Sequence, residues 1–122
     1  FVLHFQAQVR GDGKLSGVEA LIRWKHPTRG LLWPADFIGL AEDSGLILPL
    51  GRWVLAAGCN QLAQWQSQPE TADLQLAINV SARQFRHPQF INDVITAIKE
   101  SGVDPRQLKL EMTESVLFDD IE

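Results

Sequence analysis

Along residues 17–24, Gly-Val-Glu-Ala-Leu-Ile-Arg-Trp, the chain alternates between two kinds of position. Successive side chains of a strand point to opposite faces, so Glu19, Leu21 and Arg23 share one face and Val18, Ala20, Ile22 and Trp24 the other. Three more segments repeat the arrangement. In Val2 to Val9, His4, Gln6 and Gln8 oppose Leu3, Phe5, Ala7 and Val9. In Leu74 to Ser81, Gln75, Ala77, Asn79 and Ser81 oppose Leu74, Leu76, Ile78 and Val80. In Leu108 to Thr113, Lys109, Glu111 and Thr113 oppose Leu108, Leu110 and Met112. Each strand therefore presents amides, carboxylates or hydroxyls on one side and an aliphatic stripe on the other.

Helical periodicity separates the later strands. Pro34 suits the first turn of a helix carrying Phe37, Ile38 and Ala41, and Gly45 suits its stop. A second helix runs from about Leu50 to Gln66 and is apolar over more than half its circumference, which requires burial. A third opens near Pro88, carries Ile91, Val94, Ile95 and Ile98 at helical spacing, and ends at Gly102. Arg10-Gly-Asp-Gly-Lys14 signals a hairpin, so the first two strands are expected to be antiparallel. The order β-β-α-α-β-α-β then calls for a parallel sheet from the second strand onward.

Four half-exposed strands of an antiparallel sheet would also alternate, but the intervening helices weigh against that reading. A parallel sheet is normally covered on both faces, so a polar inner face makes sense if the sheet curls into a barrel. In a (β/α)8 barrel the outer face of each strand packs on helices, and polar residues at the strands' C-terminal ends converge on one site. Glu19 and Arg23, Asn79 and Ser81, and Glu111 and Thr113 all lie late in their strands. A complete barrel of this kind takes about 250 residues, and the chain has 122. The expectation is an α/β chain forming the N-terminal half of a TIM-type barrel with an antiparallel first strand.

Composition narrows the chemistry. Hydrophobic residues make up 45% and charged residues 21%, as in a soluble globular piece, and no apolar run is long enough to span a bilayer. No signal peptide is visible. The single cysteine, Cys59, sits on an apolar helical stripe and reads as a buried structural thiol. A reducing, cytoplasmic setting follows, with membrane anchoring of a longer parent left to segments outside this sequence. A net charge of −4 argues against a nucleic-acid polymer as partner, because such grooves need clustered Lys and Arg.

Glu19, Asn79 and Glu111 place three oxygen donors on three strands, a set suited to hard cations such as Mg²⁺ or Mn²⁺. No His-rich or Cys-rich zinc spacing exists; His4, His26 and His87 are isolated, and the latter two each precede a proline. Two other readings stand beside a metal site: a glycosidase-like carboxylate pair of Glu19 and Glu111, and a purely structural polar core.

Four ordered blocks carry a resemblance that bears on this choice: Gly17 to Pro27, Phe37-Ile38 through Leu40 to Ile47, Ile78 to Phe85, and Leu110 to Ser115. Together they resemble the EAL domain, the bacterial cyclic di-GMP phosphodiesterase family named for the Glu-Ala-Leu found here at 19–21. The resemblance implies a barrel with an antiparallel first strand, and it covers nearly the whole chain as a partial EAL domain over residues 1–122. It implies that Glu19, Asn79 and Glu111 are metal ligands of a two-cation site, with Glu19 also catalytic. Arg23 resembles the residue that meets a substrate phosphate, and Gln6 the glutamine that contacts the dinucleotide. Glu114 resembles a glutamate that orders an active-site loop without binding metal, in keeping with its opposite strand parity to Glu111. Two positions depart from the family pattern: Ala7, where proline is usual, and the short turn Gly11 to Gly13.

The implied reaction is hydrolysis of one phosphodiester bond of cyclic di-GMP to the linear dinucleotide by metal-activated water. The family's paired aspartates and catalytic lysine would lie beyond residue 122; Asp119-Asp120 follows the Glu111 block too closely to be that pair. The alternative within the family is a catalytically silent domain that binds cyclic di-GMP or a partner protein. A partial barrel is also expected to self-associate or exchange elements between copies, and a longer parent to carry sensor or cyclase domains.

Overall fold

The computed structural model of the 122-residue protein describes residues 1–9, 11, 13, 15–32, 38, 39, 41 and 43–112. Among the described residues there are five strands: β1 (Val2–Val9), β2 (Leu15–His26), β3 (Gly30–Leu32), β4 (Leu76–Val80) and β5 (Leu108–Met112). The α-helices with bounds among the described residues are α1 (Ile47–Gln66), α2 (Ala82–Arg86) and α3 (Phe90–Ser101). A 3-10 turn at Pro105–Gln107 leads into β5. The sheet runs in the order β1-β2-β4-β5, with β3 paired to β2. β1 is antiparallel to β2, and the β2–β4 and β4–β5 pairs are parallel. The expected mixed sheet with an antiparallel first strand is therefore the observed one.

The apolar stripes meet on the helical side of the sheet. Val18, Ala20, Leu76 and Ile78 from β2 and β4 pack with Leu55, Cys59 and Leu62 of α1 and Ala97 of α3. Gly58 lets α1 approach closely: a Cβ there would lie 2.7 Å from Ile78 Cδ1. Phe5 of β1 meets Trp65 of α1 edge-on, with ring centroids 5.2 Å apart. The aliphatic stripe of β1 is only half used, because Leu3 and Phe5 join this core while Ala7 and Val9 are exposed. α1 covers the β1 stripe through Trp65, which reaches Phe5 and not the far end of the strand.

Several boundaries differ from those the sequence suggests, each for a local reason. β2 runs two residues past Trp24, because Trp24, Lys25 and His26 pair with Leu32, Leu31 and Gly30 of β3, and it starts at Leu15, which pairs with Val9 of β1. This hairpin turns on Pro27 to Arg29, where His26 Nδ1 accepts the backbone N–H groups of Thr28 and Arg29 at 3.2 Å. α1 begins at Ile47 and so includes Pro49 in its first turn, where the missing N–H has no intrahelical partner to lose. Gly45 adopts φ +84° after helical Asp43 and Ser44, and Gly102 adopts φ +72° as the cap of α3, matching both expected stops. Pro34 and Phe37 of the first expected helix lie outside the described residues.

The short helix α2 has no counterpart in the hydrophobic periodicity. Its signal is Ser81-Ala-Arg-Gln84, a Ser-x-x-Gln capping pattern. The Ser81 hydroxyl accepts the Gln84 backbone N–H at 3.2 Å. The Gln84 side chain is buried against Gly51 of α1, where any Cβ would collide with its amide. At the opposite end of the sheet, Gln66 and Gln107 tie α1 to the approach to β5. Gln66 Nε2 donates to Gln107 Oε1 at 2.9 Å, and Gln107 Nε2 donates to the Ala72 carbonyl at 2.8 Å.

Candidate active site

Antiparallel register sets the first half of the site. Gln6 of β1 stands directly opposite Glu19 of β2, His4 opposite Leu21 and Val2 opposite Arg23. Directly opposed residues share a face, and Val18 and Ala20 belong to the helical core, so Gln6, His4, Glu19, Leu21 and Arg23 all belong to the inner face. Parallel register sets the second half. Glu19 is level with Ala77 of β4, and Asn79, two residues on, is level with Glu111 of β5. Asn79 is consequently the link between the two carboxylates.

That link is made on the β2 side. Asn79 Nδ2 donates to Glu19 Oε2 at 2.9 Å. A carboxylate only accepts, so the amide nitrogen must face Glu19, and Oδ1 remains as an acceptor. On the β5 side, Lys109 Nζ approaches Glu111 Oε1 at 3.7 Å, from a lysine whose side chain is 68% exposed. Such an exposed ion pair is weak and readily displaced. Among the described residues no three His, Cys, Asp or Glu side chains converge. The donor set is instead two carboxylates and one amide carbonyl, the oxygen chemistry that fits a hard divalent cation.

Arg23 differs from the open, wet position its strand face suggests. It is 4% exposed, and its Nη1 donates to the neighbouring Ile22 carbonyl at 2.7 Å. A buried guanidinium must have its N–H groups satisfied, and the backbone carbonyl meets part of that demand. Glu114 lies outside the described residues. The glycosidase-like pairing gains nothing from this geometry, since the group held by Glu19 is Asn79.

An apolar groove of about 490 Å³ lies elsewhere, between Phe1, Trp24, Leu46, Pro49, Leu50 and Trp53. Trp24 has the opposite parity to Arg23, which puts this groove on the helical side of the sheet. Burial pushes the Cys59 thiol above its ordinary pKa, and at 0% exposure it is part of the core, as its helical stripe suggests.

The polar face at the strand ends and the sheet order together define a barrel-type α/β chain, and comparison with known proteins gives the family. The model of the EAL domain matches residues 1–122, and the chain belongs to the EAL domain family. It is 42% identical over 120 residues to the bifunctional diguanylate cyclase/cyclic di-GMP phosphodiesterase MucR of Pseudomonas aeruginosa, covering 98% of this chain and 17% of MucR. It is 38% identical over 121 residues to the cyclic di-GMP phosphodiesterase PdeR of Escherichia coli, covering 99% of this chain and 18% of PdeR. The chain thus spans less than a fifth of the length of these curated relatives. The solved PaMucR phosphodiesterase in complex with c-di-GMP superimposes with a TM-score of 0.92 at 42% identity, over 98% of this chain and 49% of that one. The FimX EAL domain from Pseudomonas aeruginosa bound to c-di-GMP follows at a TM-score of 0.80 and 25% identity, over 98% of this chain and 47% of that one.

Proposed function

We propose that this chain supplies the Glu19-Asn79-Glu111 side of a cyclic di-GMP phosphodiesterase site that hydrolyses the cyclic dinucleotide to its linear form. The observation that carries the proposal is the Asn79–Glu19 hydrogen bond at 2.9 Å together with the level pairing of Asn79 and Glu111. Three oxygen donors on three adjacent strands are thereby brought to one face. The names of the relatives support cyclic di-GMP as the substrate class.

In this reading Glu19, Asn79 Oδ1 and Glu111 would hold Mg²⁺ or Mn²⁺, and the chemistry such a cation would supply is activation of a water and neutralisation of phosphate charge. The Asn79 N–H keeps the Glu19 carboxylate from rotating away from its donor position. Displacement of Lys109 from Glu111 frees that carboxylate for a ligand. Arg23 contributes a fixed positive charge toward a substrate phosphate; its burial limits it to the part of the guanidinium that reaches the inner face. Gln6, level with Glu19, offers amide groups to the dinucleotide. Glu114 orders a loop contributed by the rest of the domain.

Residues 1–122 are read as a partial EAL domain, in keeping with the 49% coverage of the PaMucR chain. A longer parent is read as cytoplasmic and as carrying sensor or cyclase domains. No helix among the described residues is long and apolar enough to cross a membrane. The 122-residue piece alone is read as self-associating. Among the described residues β1 pairs only with β2 and β5 only with β4, while Val9, Ile91, Ile95 and Met112 are exposed. Light scattering on residues 1–122 should give a mass above the monomer, and a stable dilute monomer would count against this.

The test of function is hydrolysis of cyclic di-GMP by the full-length parent with Mg²⁺ or Mn²⁺, followed by chromatography of the linear product. Turnover abolished by Glu19→Ala supports the reading. Tight binding without any turnover in the wild-type parent would instead make it a receptor.

A further inference from the structure

The three histidines, alike in sequence as isolated residues, separate into two kinds in the fold. His26 Nδ1 accepts two backbone N–H groups and caps the β2–β3 turn. His87 Nδ1 accepts the Gln89 N–H at 3.1 Å and caps the turn before α3. Both rings are structural. His4 is exposed and, among the described residues, has no hydrogen-bond or ion-pair partner.

Its position is specific. His4 stands opposite Leu21, with the Gln6–Glu19 pair on one side and the Val2–Arg23 pair on the other. Its neighbours Leu3 and Phe5 turn into the helical core, so the imidazole belongs to the inner face with Gln6 and Glu19. Strand rise puts Glu19 and Arg23 about 13 Å apart along β2, with the His4–Leu21 row about midway. Leu21 offers no polar group, so within the β1–β2 pair the imidazole is the hydrogen-bonding side chain of that row, which continues across the sheet toward Asn79 and Glu111. A phosphate lying between the Glu19 donor set and Arg23 crosses it.

We infer that His4 is a further substrate-binding residue, donating a ring N–H to a non-bridging phosphate oxygen of the cyclic dinucleotide. This rests on the functional reading above. An imidazole carries a ring N–H that can donate to an anionic oxygen. A hydrogen bond to an anionic oxygen is among the stronger kinds, which gives the contact a measurable share of affinity. The exposure of His4 means that its replacement leaves the core packing untouched.

The experiment uses the full-length parent and cyclic di-GMP as the probe. Dissociation constants are measured calorimetrically in EDTA, kcat and KM in Mg²⁺, for wild type, His4→Ala, His4→Gln and His4→Phe. Loss of one hydrogen bond to a charged group should raise Kd and KM about tenfold in His4→Ala and His4→Phe, with kcat changed less. His4→Gln, which keeps an N–H donor, should stay within about threefold of wild type. Wild-type affinity in His4→Phe with loss in His4→Gln would make the contact a ring stack on the base and overturn the inference. So would no change in any variant, or a fall in kcat at constant KM and Kd. Those outcomes leave the phosphodiesterase reading standing, whereas a wild-type parent that neither binds nor cleaves cyclic di-GMP removes both.

Discussion

The Asn79 amide holds the Glu19 carboxylate at 2.9 Å across a separation of 60 residues. Asn79→Asp replaces this hydrogen bond with a second carboxylate facing the first. Like charges at this range repel, and a divalent cation between them relieves the repulsion. In the full-length parent Asn79→Asp should therefore lower the thermal midpoint in EDTA and show a larger Mg²⁺-induced rise than wild type. Asn79→Ala should lower turnover by at least about a hundredfold without that enhanced rise. Differential scanning fluorimetry with and without Mg²⁺, beside a product assay, checks both.

Glu111 and Glu114 should differ in kind. Glu111 is level with Asn79 on β5, whereas Glu114 is read as ordering a loop. On the proposed reading Glu111→Gln should weaken Mg²⁺ or Mn²⁺ binding by about tenfold or more, since it would replace a charged oxygen donor by a neutral amide. Glu114→Gln should cut turnover heavily with a smaller change in metal affinity. Equal losses of affinity in metal titrations of the two variants would assign Glu114 to the cation as well.

Gly51 and Gln84 form a steric pair. A Cβ on Gly51 would lie 2.8 Å from Gln84 Oε1 and closer still to the rest of the amide. Gly51→Ala gains about 1 kcal/mol of helix propensity but must displace a buried amide, at a cost of about 1–3 kcal/mol from overpacking. The net effect should be destabilising. Gln84→Ala removes the obstacle, so in the double variant Gly51→Ala should become neutral or stabilising. Urea unfolding of the four proteins of the cycle gives the sign of the coupling.

Cys59 gives a pH signature. Desolvation raises its folded pKa, because the buried thiolate has no water to solvate it. The linked stability is fully present below the unfolded thiol's pKa of about 8.5. As pH rises beyond that value the unfolded chain ionises first, and stability falls until the raised folded pKa is passed. The urea midpoint should thus drop more between pH 8 and pH 10 in wild type than in Cys59→Ala. Identical pH slopes would show that the thiol is not desolvated in the folded state.

Period-two alternation alone specified the four long strands and their polar faces, because burial of one face leaves the other free to carry chemistry at every second residue. Glycines at 45 and 102 marked two helix ends, since both need the left-handed backbone that other residues resist. The four motif blocks identified the family and the candidate donors Glu19, Asn79 and Glu111. Strand β3 was not legible, as three residues carry too little periodicity, and its pairing depends on the turn capped by His26. Helix α2 was written in a capping pattern that hydrophobic spacing does not register. What only the tertiary structure decided is which groups meet: register across separate strands places Asn79 against Glu19, buries Arg23, and leaves His4 open beside them. Those outcomes depend on contacts between residues far apart in the chain, which a local pattern does not encode.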